Sequence, residues 1–360
     1  MFATFIAFFS SLILSLLIIR YQHLHARLTG DSDFSGPQKM HTQIVPRVGG
    51  LAIWIAIVLA FVGLYAIASP NKFLLCTLLL CSFPGFLSGL AEDLTKSVGV
   101  KVRLIATAIS ALLASYFLQI LILRLDLPWI DWIFSYPIVS FAFTAFAVAG
   151  VANAYNIIDG FNGLASMVAI ITLLAIGYIG FKVQDTFVSS MAIIMIGAIA
   201  GFFVWNYPRG LIFLGDGGAY FIGLWVALLS VALVARNNQV SAWFALLINA
   251  YPITETVFTM WRRKIHQGKN PGLPDAAHFH SLIYRRIVKW ANIGEDTEGQ
   301  TSKNARTSPY LWVLSCLSIF PAILVWDQTI ILIGLSALFF LSYIWLYRQI
   351  VKFKTPKLMK

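Results

Sequence analysis

Along this chain, apolar residues run in long blocks and polar residues collect at the block ends. Eleven blocks stand out, at 2–19, 48–69, 73–91, 104–123, 135–152, 163–181, 187–205, 217–235, 240–261, 309–326 and 329–347. Each is close to the roughly 20 residues that carry an α-helix across the hydrocarbon of a bilayer. None alternates with a period of two, as strands of a membrane barrel do. A helix satisfies its own backbone N–H and C=O groups, which lipid demands. The pattern predicts an all-α polytopic membrane protein of about eleven spans, one domain over 1–360 without internal repeats. Block 2–19 has no basic segment before it and no Ala-x-Ala after it, so it reads as the first span rather than a removed signal.

Composition supports a membrane protein, with 59% hydrophobic and 11% charged residues in 360, against about 25% charged in soluble domains. Charge then sorts the connections. With the N-terminus outside, the alternating blocks put all but Lys72, Arg124, Lys182 and Arg236 of the 26 Lys and Arg residues on one face. The positive-inside rule makes that face, and the C-terminus, cytoplasmic. The net charge of +11 is then topology and attraction to anionic lipid, and it gives no ground for expecting nucleic acid as a partner. Cys76, Cys81 and Cys316 lie in apolar blocks without metal-ligand spacing and read as small buried hydrophobes.

The cytoplasmic connections are 20–47, 92–103, 153–162, 206–216 and 262–308. In the first, Lys39, His41 and Arg47 are cations that serve topology or contact an anion. In the second, Glu92 and Asp93 are adjacent acids at a span end, where carboxylates are costly and usually functional. Such a pair favours a hard cation such as Mg2+, or a base of raised pKa. In the third, Asn153, Asn156 and Asp159 fall on one helical face. That stripe suits a sugar, a nucleobase or a metal, or a buried hydrogen-bond network. In the fourth, Asp216 stands between Gly215 and Gly217-Gly218, as an accessible carboxylate or a helix cap, with nearby N–H groups open to phosphate. In the fifth, His278 and His280 lie among Arg262, Arg263, Arg285 and Arg286. Without a Cys or third ligand, zinc is disfavoured, and phosphate contact or proton handling fits better. Glu255 sits inside the ninth block with its role open. Asp126, Asp131, Asp185 and Asp327 read as solvated turn residues on the outer face.

Five of these segments, PRVGGLAI, AEDLTK, NAYNIIDGFNGLA, FLGDGG and RRKIHQGKNPGLPDAAHFH, resemble in order the motifs of the polyprenyl-phosphate N-acetylhexosamine-1-phosphate transferases, over nearly the whole chain. Eleven spans and an outside N-terminus are more similar to the O-antigen-initiating branch than to the ten-span lipid I branch. The resemblance implies that undecaprenyl phosphate attacks the β-phosphorus of a UDP-amino sugar and that UMP leaves, starting a lipid-linked envelope glycan at the bacterial inner membrane. It implies Mg2+, or Mn2+ in its place, and is compatible with a homodimer. It makes Glu92, Asp93, Asp159 and Asp216 catalytic, with Asp216 the principal metal ligand, Asp93 beside it, and one of Glu92 and Asp93 accepting the lipid phosphate's proton. Asn156 and Asp159 would hold the nucleotide sugar or the metal, Asn153 would bind substrate, and Phe213 would stack on uracil with Asn206 nearby. Arg262, His278 and His280 would grip phosphate, with Lys39 and His41 at the entrance.

The chain departs from the family pattern at several places. Glu92 replaces an Asp, Asn162 the second Asp of the DGxDG motif, Gly217 and Ala219 hydroxyl residues, Ala276 an Arg and Ser281 a His. These changes leave the sugar open. A secondary transporter is the competing expectation. Transporter sites lie near the midplane in broken helices, whereas these acids sit at span ends on one face. A non-catalytic scaffold is the other rival, and it would not need Asp159 and Asp216 in polar pockets.

Overall fold

The computed structural model describes residues 1–31, 44–67, 72–266, 268, 277–286, 288 and 297–352. Lys39, His41 and Ala276 lie outside the described residues. The helices are α1 (Phe2–Arg20), α2 (Gln22–Thr29), α3 (Gly49–Ala66), α4 (Lys72–Thr95), α5 (Val100–Phe117), α6 (Pro128–Asp131), α7 (Pro137–Ile158) and α8 (Leu164–Lys182). They continue with α9 (Thr186–Asn206), α10 (Gly215–Arg236), α11 (Ala242–Ile248), α12 (Ala250–Trp261), α13 (Phe279–Arg286), α14 (Thr297–Leu324) and α15 (Thr329–Lys352). A two-residue antiparallel pair, Gly30–Asp31 with Val45–Pro46, joins the ends of the first connection.

Among the described residues, ten helices are long and apolar enough to cross a membrane: α1, α3, α4, α5, α7, α8, α9, α10, α14 and α15. The predicted ninth span takes a different form. It breaks at Asn249 into α11 and α12. Pro252 explains the break, because its ring collides with the carbonyl four residues back and it has no N–H to donate there. That carbonyl belongs to Ile248, the last residue of α11, and it accepts instead from the Thr172 hydroxyl at 3.4 Å. Asn249 Nδ2 donates to Ser230 Oγ at 3.1 Å and Tyr155 OH reaches Asn249 Oδ1 at 3.5 Å, so the break is sealed by buried polar groups. The pair still crosses beside α15. Ser241 meets Thr329 at 2.8 Å at one end, and Arg262 lies 5.7 Å from the Tyr347 ring centre at the other. Between Thr329 and Tyr347, α15 rises roughly 27 Å, close to the hydrocarbon thickness.

Helix α10 is the hub. Its apolar window is 94% buried, as expected of a helix that is hydrophobic all round. Helices α3, α4, α7 and α8 pack directly on it. Close approach to its first turn depends on Gly89 of α4. A methyl there would lie 2.6 Å from Gly217 N and 2.7 Å from Asp216 O, both backbone atoms that cannot swing aside.

The two bundle ends hold different chemistry. One end gathers the acids expected to be solvated, and the structure corrects that reading for three of them. Asp126 accepts from Ala242 N–H at 2.7 Å. Asp131 accepts from Leu125 N–H at 2.7 Å and Leu127 N–H at 3.1 Å. Asp185, buried, caps α9 through Val188 N–H at 3.1 Å and pairs with Arg236 at 2.8 Å. Turns and helix starts leave N–H groups unsatisfied, and these carboxylates supply the acceptors. Asp327 is exposed, as read. The opposite end carries the acid and histidine motifs.

Gly89→Ala is expected to overpack the α4–α10 contact and cost about 1–3 kcal/mol, read as a lower Tm in detergent. Gly150→Ala, on an exposed face of α7 with open space around it, leaves Tm unchanged or slightly higher.

Candidate active site

The site is built on the first turn of α10. That turn offers N–H groups with no partner inside the helix, and Asp93 takes two of them. Its Oδ1 accepts from Asp216 N–H and its Oδ2 from Gly217 N–H, each at 2.8 Å. Asp93 is only 2% exposed. Being near the C-terminus of its own helix, it meets an unfavourable dipole there, but it faces the positive end of α10, where an anion is stabilised. One carboxylate therefore joins α4 to α10 and fixes where Asp216 begins.

The Asp216 side chain points into a ring of donors. Asn156 Nδ2 donates to its Oδ1 at 2.9 Å, and Arg103 forms an ion pair with its Oδ2. Arg47 Nη2 lies 3.6 Å from Asp216 Oδ1 and 3.6 Å from Asp93 Oδ1. Arg103 stacks over Tyr220, 5.6 Å from the ring centre, and Tyr220 OH donates to Asn153 Oδ1 at 3.0 Å. Asn153 and Asn156 thus both turn toward α10, as their spacing predicts. Asp159 caps the end of α7. Burial, and next the charge of Asp216, push its carboxyl up to about 7, against the opposing pull of Arg47. Asp159 keeps partial solvent access at the mouth of the recess while protein surrounds the rest.

Arg47 is placed by backbone pairing. Phe213 N–H donates to Pro46 O at 2.8 Å, and Gly49 N–H and Gly50 N–H donate to Phe213 O and Leu214 O at 2.9 Å each. The PRVGG segment is thereby zipped to the approach to α10. Three acids from α4, the end of α7 and the start of α10 share one recess with two arginines.

The family model for glycosyl transferase family 4 matches residues 74–234, which carry Asp93, Asn156, Asp159 and Asp216. An undecaprenyl-phosphate alpha-N-acetylglucosaminyl 1-phosphate transferase of Salmonella typhi is 30% identical over 260 residues, 69% of this chain and 67% of that protein. The chain belongs to glycosyl transferase family 4. The Thermotoga maritima protein of the same name is 29% identical over 281 residues, covering 78% of this chain and 82% of its own length. That of Escherichia coli K12 is 27% identical over 269 residues, 72% and 71% respectively.

In this family 4 chain, the other expected site residues separate into two groups. The histidines join the recess from the side. His278 and His280 stack with ring centres 5.1 Å apart, and His280 packs edge-on to Phe161 at 5.5 Å. A methyl on Gly160, next to Asp159, would lie 3.0 Å from His280 Nε2. Arg262 is buried behind them over Tyr347. Glu92 and Asn206 make scaffold bonds. Glu92 Oε2 accepts from Val98 N–H at 2.6 Å, closing the turn after α4. Asn206, buried, accepts from Gly163 N–H at 2.7 Å and donates to Ile212 O at 2.8 Å. The Phe213 ring remains partly exposed beside the recess. Asn162 is a staple too: its N–H donates to Asn304 at 2.9 Å and its amide to Pro208 O at 3.1 Å.

Arg103 and Tyr220 complete the site without having been expected. Arg103 looked like topological charge, and no local spacing signals an ion pair across 113 positions. Among the described residues, no three His, Cys, Asp or Glu side chains form a ready-made metal cage. The oxygens of Asp216 and Asp159 are hard donors at the open side.

Asp93→Asn keeps the shape of the side chain but aims an NH2 group at one of two backbone N–H donors. It is expected to cost about 1–3 kcal/mol for the orphaned donor, seen as a lower Tm in detergent, and to lower activity in parallel.

Proposed function

We propose that this family 4 enzyme transfers an N-acetylhexosamine-1-phosphate from a UDP-sugar to undecaprenyl phosphate and releases UMP. The single observation behind this reading is the recess at the span ends, where Asp93 sets Asp216 among Arg47, Arg103, Asn156 and Asp159. The relatives that match most of the chain carry the corresponding name. A lipid phosphate held at the bilayer surface and a nucleotide arriving from water can both reach such a place.

The chemistry balances simply. A phosphate oxygen of the lipid forms a bond to the β-phosphorus of the UDP-sugar. The bond from that phosphorus to the oxygen bridging the two phosphates breaks, and UMP takes the electron pair. There is little covalent work for the protein, so positioning and charge neutralisation carry the catalysis. Arg47 and Arg103 face phosphate oxygens, and the His278–His280 pair flanks the same mouth. Asn153 and Asn156 present amides to the sugar and nucleotide. Asp159, with its raised carboxyl, is suited to accept a proton from the lipid phosphate.

The site also fits Mg2+. This ion binds through one or two carboxylates, keeps several waters, and takes substrate phosphates as ligands; a three-acid cage is not required. Asp216 would hold it, and it would polarise the phosphoryl group and neutralise developing charge. Asp93, with both oxygens engaged by N–H groups, acts in this reading through Asp216.

The recess end carries Arg47, Arg103, Arg209 and Arg262, so the positive-inside rule faces it toward the cytoplasm, at the inner membrane of a bacterium, with the N-terminus outside. The break at Asn249 does not favour a transporter. Its polar groups, Tyr155, Thr172, Ser230 and Asn249, are buried and bond to one another.

Purified enzyme with undecaprenyl phosphate and UDP-N-acetylglucosamine, or another UDP-amino sugar, is expected to release UMP. Asp216→Asn lowers that rate by at least about 100-fold with unchanged membrane insertion. EDTA abolishes it and added Mg2+ restores it. Full turnover by Asp216→Asn overturns the assignment.

A further inference from the structure

Glu255 lies in α12, within the membrane-crossing part of the broken span, and is 0% exposed. Burying a carboxylate costs several kcal/mol unless its oxygens are paired and hydrogen-bonded. Here they are. Oε1 lies 3.0 Å from His278 Nδ1 and accepts from Phe279 N–H at 3.2 Å and from the Thr259 hydroxyl at 3.4 Å. Oε2 accepts from Tyr343 OH at 2.8 Å. Four donors from α12, the histidine segment and the last span converge on one side chain.

This arrangement constrains the imidazole. An ionised carboxylate can only accept, so the His278 nitrogen facing it carries the hydrogen. The proton is therefore on Nδ1 in both the neutral and the cationic ring, and Nε2 is the nitrogen left for other partners. The rest of the segment is held by the same helix. Tyr347, one turn after Tyr343, donates to Ala277 O at 3.0 Å, and Phe279 packs on the Tyr343 ring at 5.0 Å. From His278 the contacts run through the stacked His280 to Gly160 and the turn carrying Asp159.

We propose that Glu255, anchored by Tyr343, is a positioning residue that fixes the tautomer and orientation of His278 beside the acid recess. The inference rests on the reading above, in which the His278–His280 pair flanks the mouth where the substrate phosphates bind. It gives the last span a part in the reaction without touching substrate. It also accounts for an acid buried in a span, where a purely structural role would be served by an amide. Gln in place of Glu255 keeps an oxygen for Phe279 N–H and the His278 ring but removes the negative charge that holds that ring, so it weakens the anchor while keeping its shape.

A double-mutant cycle on UMP release tests this. Wild type, Glu255→Gln, His278→Ala and the double variant are compared for kcat/KM, with Tm in detergent measured alongside. Glu255→Gln is expected to lower kcat/KM about 10- to 100-fold, the usual effect of losing such an orienting partner. Added to His278→Ala, it is expected to cost nothing more, because its effect passes through that ring. Losses that multiply, or wild-type kinetics in Glu255→Gln, overturn the proposal. If Glu255→Gln does not fold, Tyr343→Phe replaces it in the same cycle, with a smaller loss expected and the same two overturning results. Absence of turnover by the wild type with every UDP-amino sugar overturns the functional reading and this inference with it; turnover with multiplying losses overturns this inference alone.

Discussion

The first turn of a helix has spare N–H groups, and a carboxylate buried at the end of another helix needs donors; in this protein each solves the other's problem. Asp93 bonds the N–H groups of Asp216 and Gly217, and the rest of the recess follows from that junction. It sets the depth at which α4 meets α10, which is why Gly89 has no room for a side chain. It leaves the Asp216 carboxylate facing outward, where Asn156, Arg103 and Arg47 converge on it. Helix α10 is enclosed along nearly its whole length, so Asp216 stands on a packed helix rather than on a loop. Sites built on packed helices hold geometry better than sites on loops.

Much of this was legible in the sequence, for identifiable reasons. Lipid forces helices, so apolar block length located the spans. Block ends gathered the acids, and the threefold spacing of Asn153 and Asn156 put both on the face that meets α10. Pairing between distant segments was not legible. Arg103 reaches Asp216, and the PRVGG segment pairs with Phe213 and Leu214, through contacts that no local period encodes. Pro252 was visible, but hydropathy averages over it, so the ninth span read as continuous. Residue type also did not show which polar groups the backbone engages. Asn206 and Glu92 have the right residue types in the right connections, yet their bonds go to backbone groups that turns leave open. Asp126, Asp131 and Asp185 were misjudged in the opposite direction, as solvated turn residues, because an acceptor's value depends on which N–H groups the fold strands nearby.

The two ends of the bundle show one physical rule applied for different purposes. At the end away from the recess, Asp126, Asp131 and Asp185 satisfy backbone donors and arginines and leave little bonding capacity open. At the other end, Asp93 does the same, while Asp216 and Asp159 keep solvent access. The difference between a staple and a site is thus not the residue type but the part of its bonding capacity that the fold leaves open.

Charge explains why the proposed reaction needs more than these side chains. Asp93, Asp159 and Asp216 face Arg47 and Arg103 within the recess, so the two guanidinium groups have little positive charge to spare for a phosphate. A diphosphate approaching that balance alone would meet repulsion, and a lipid phosphate would add to it. Two features offset this. The histidine segment brings His280, stacked on His278, against the Asp159 turn, where the rings add hydrogen-bond donors. A divalent cation on Asp216 would reverse the sign of the recess outright, and at short range its effect would exceed that of any single side chain. On this argument the acids serve to recruit positive charge, and the arginines keep them ordered and separated at the span ends where a soluble and a membrane-bound phosphate must meet.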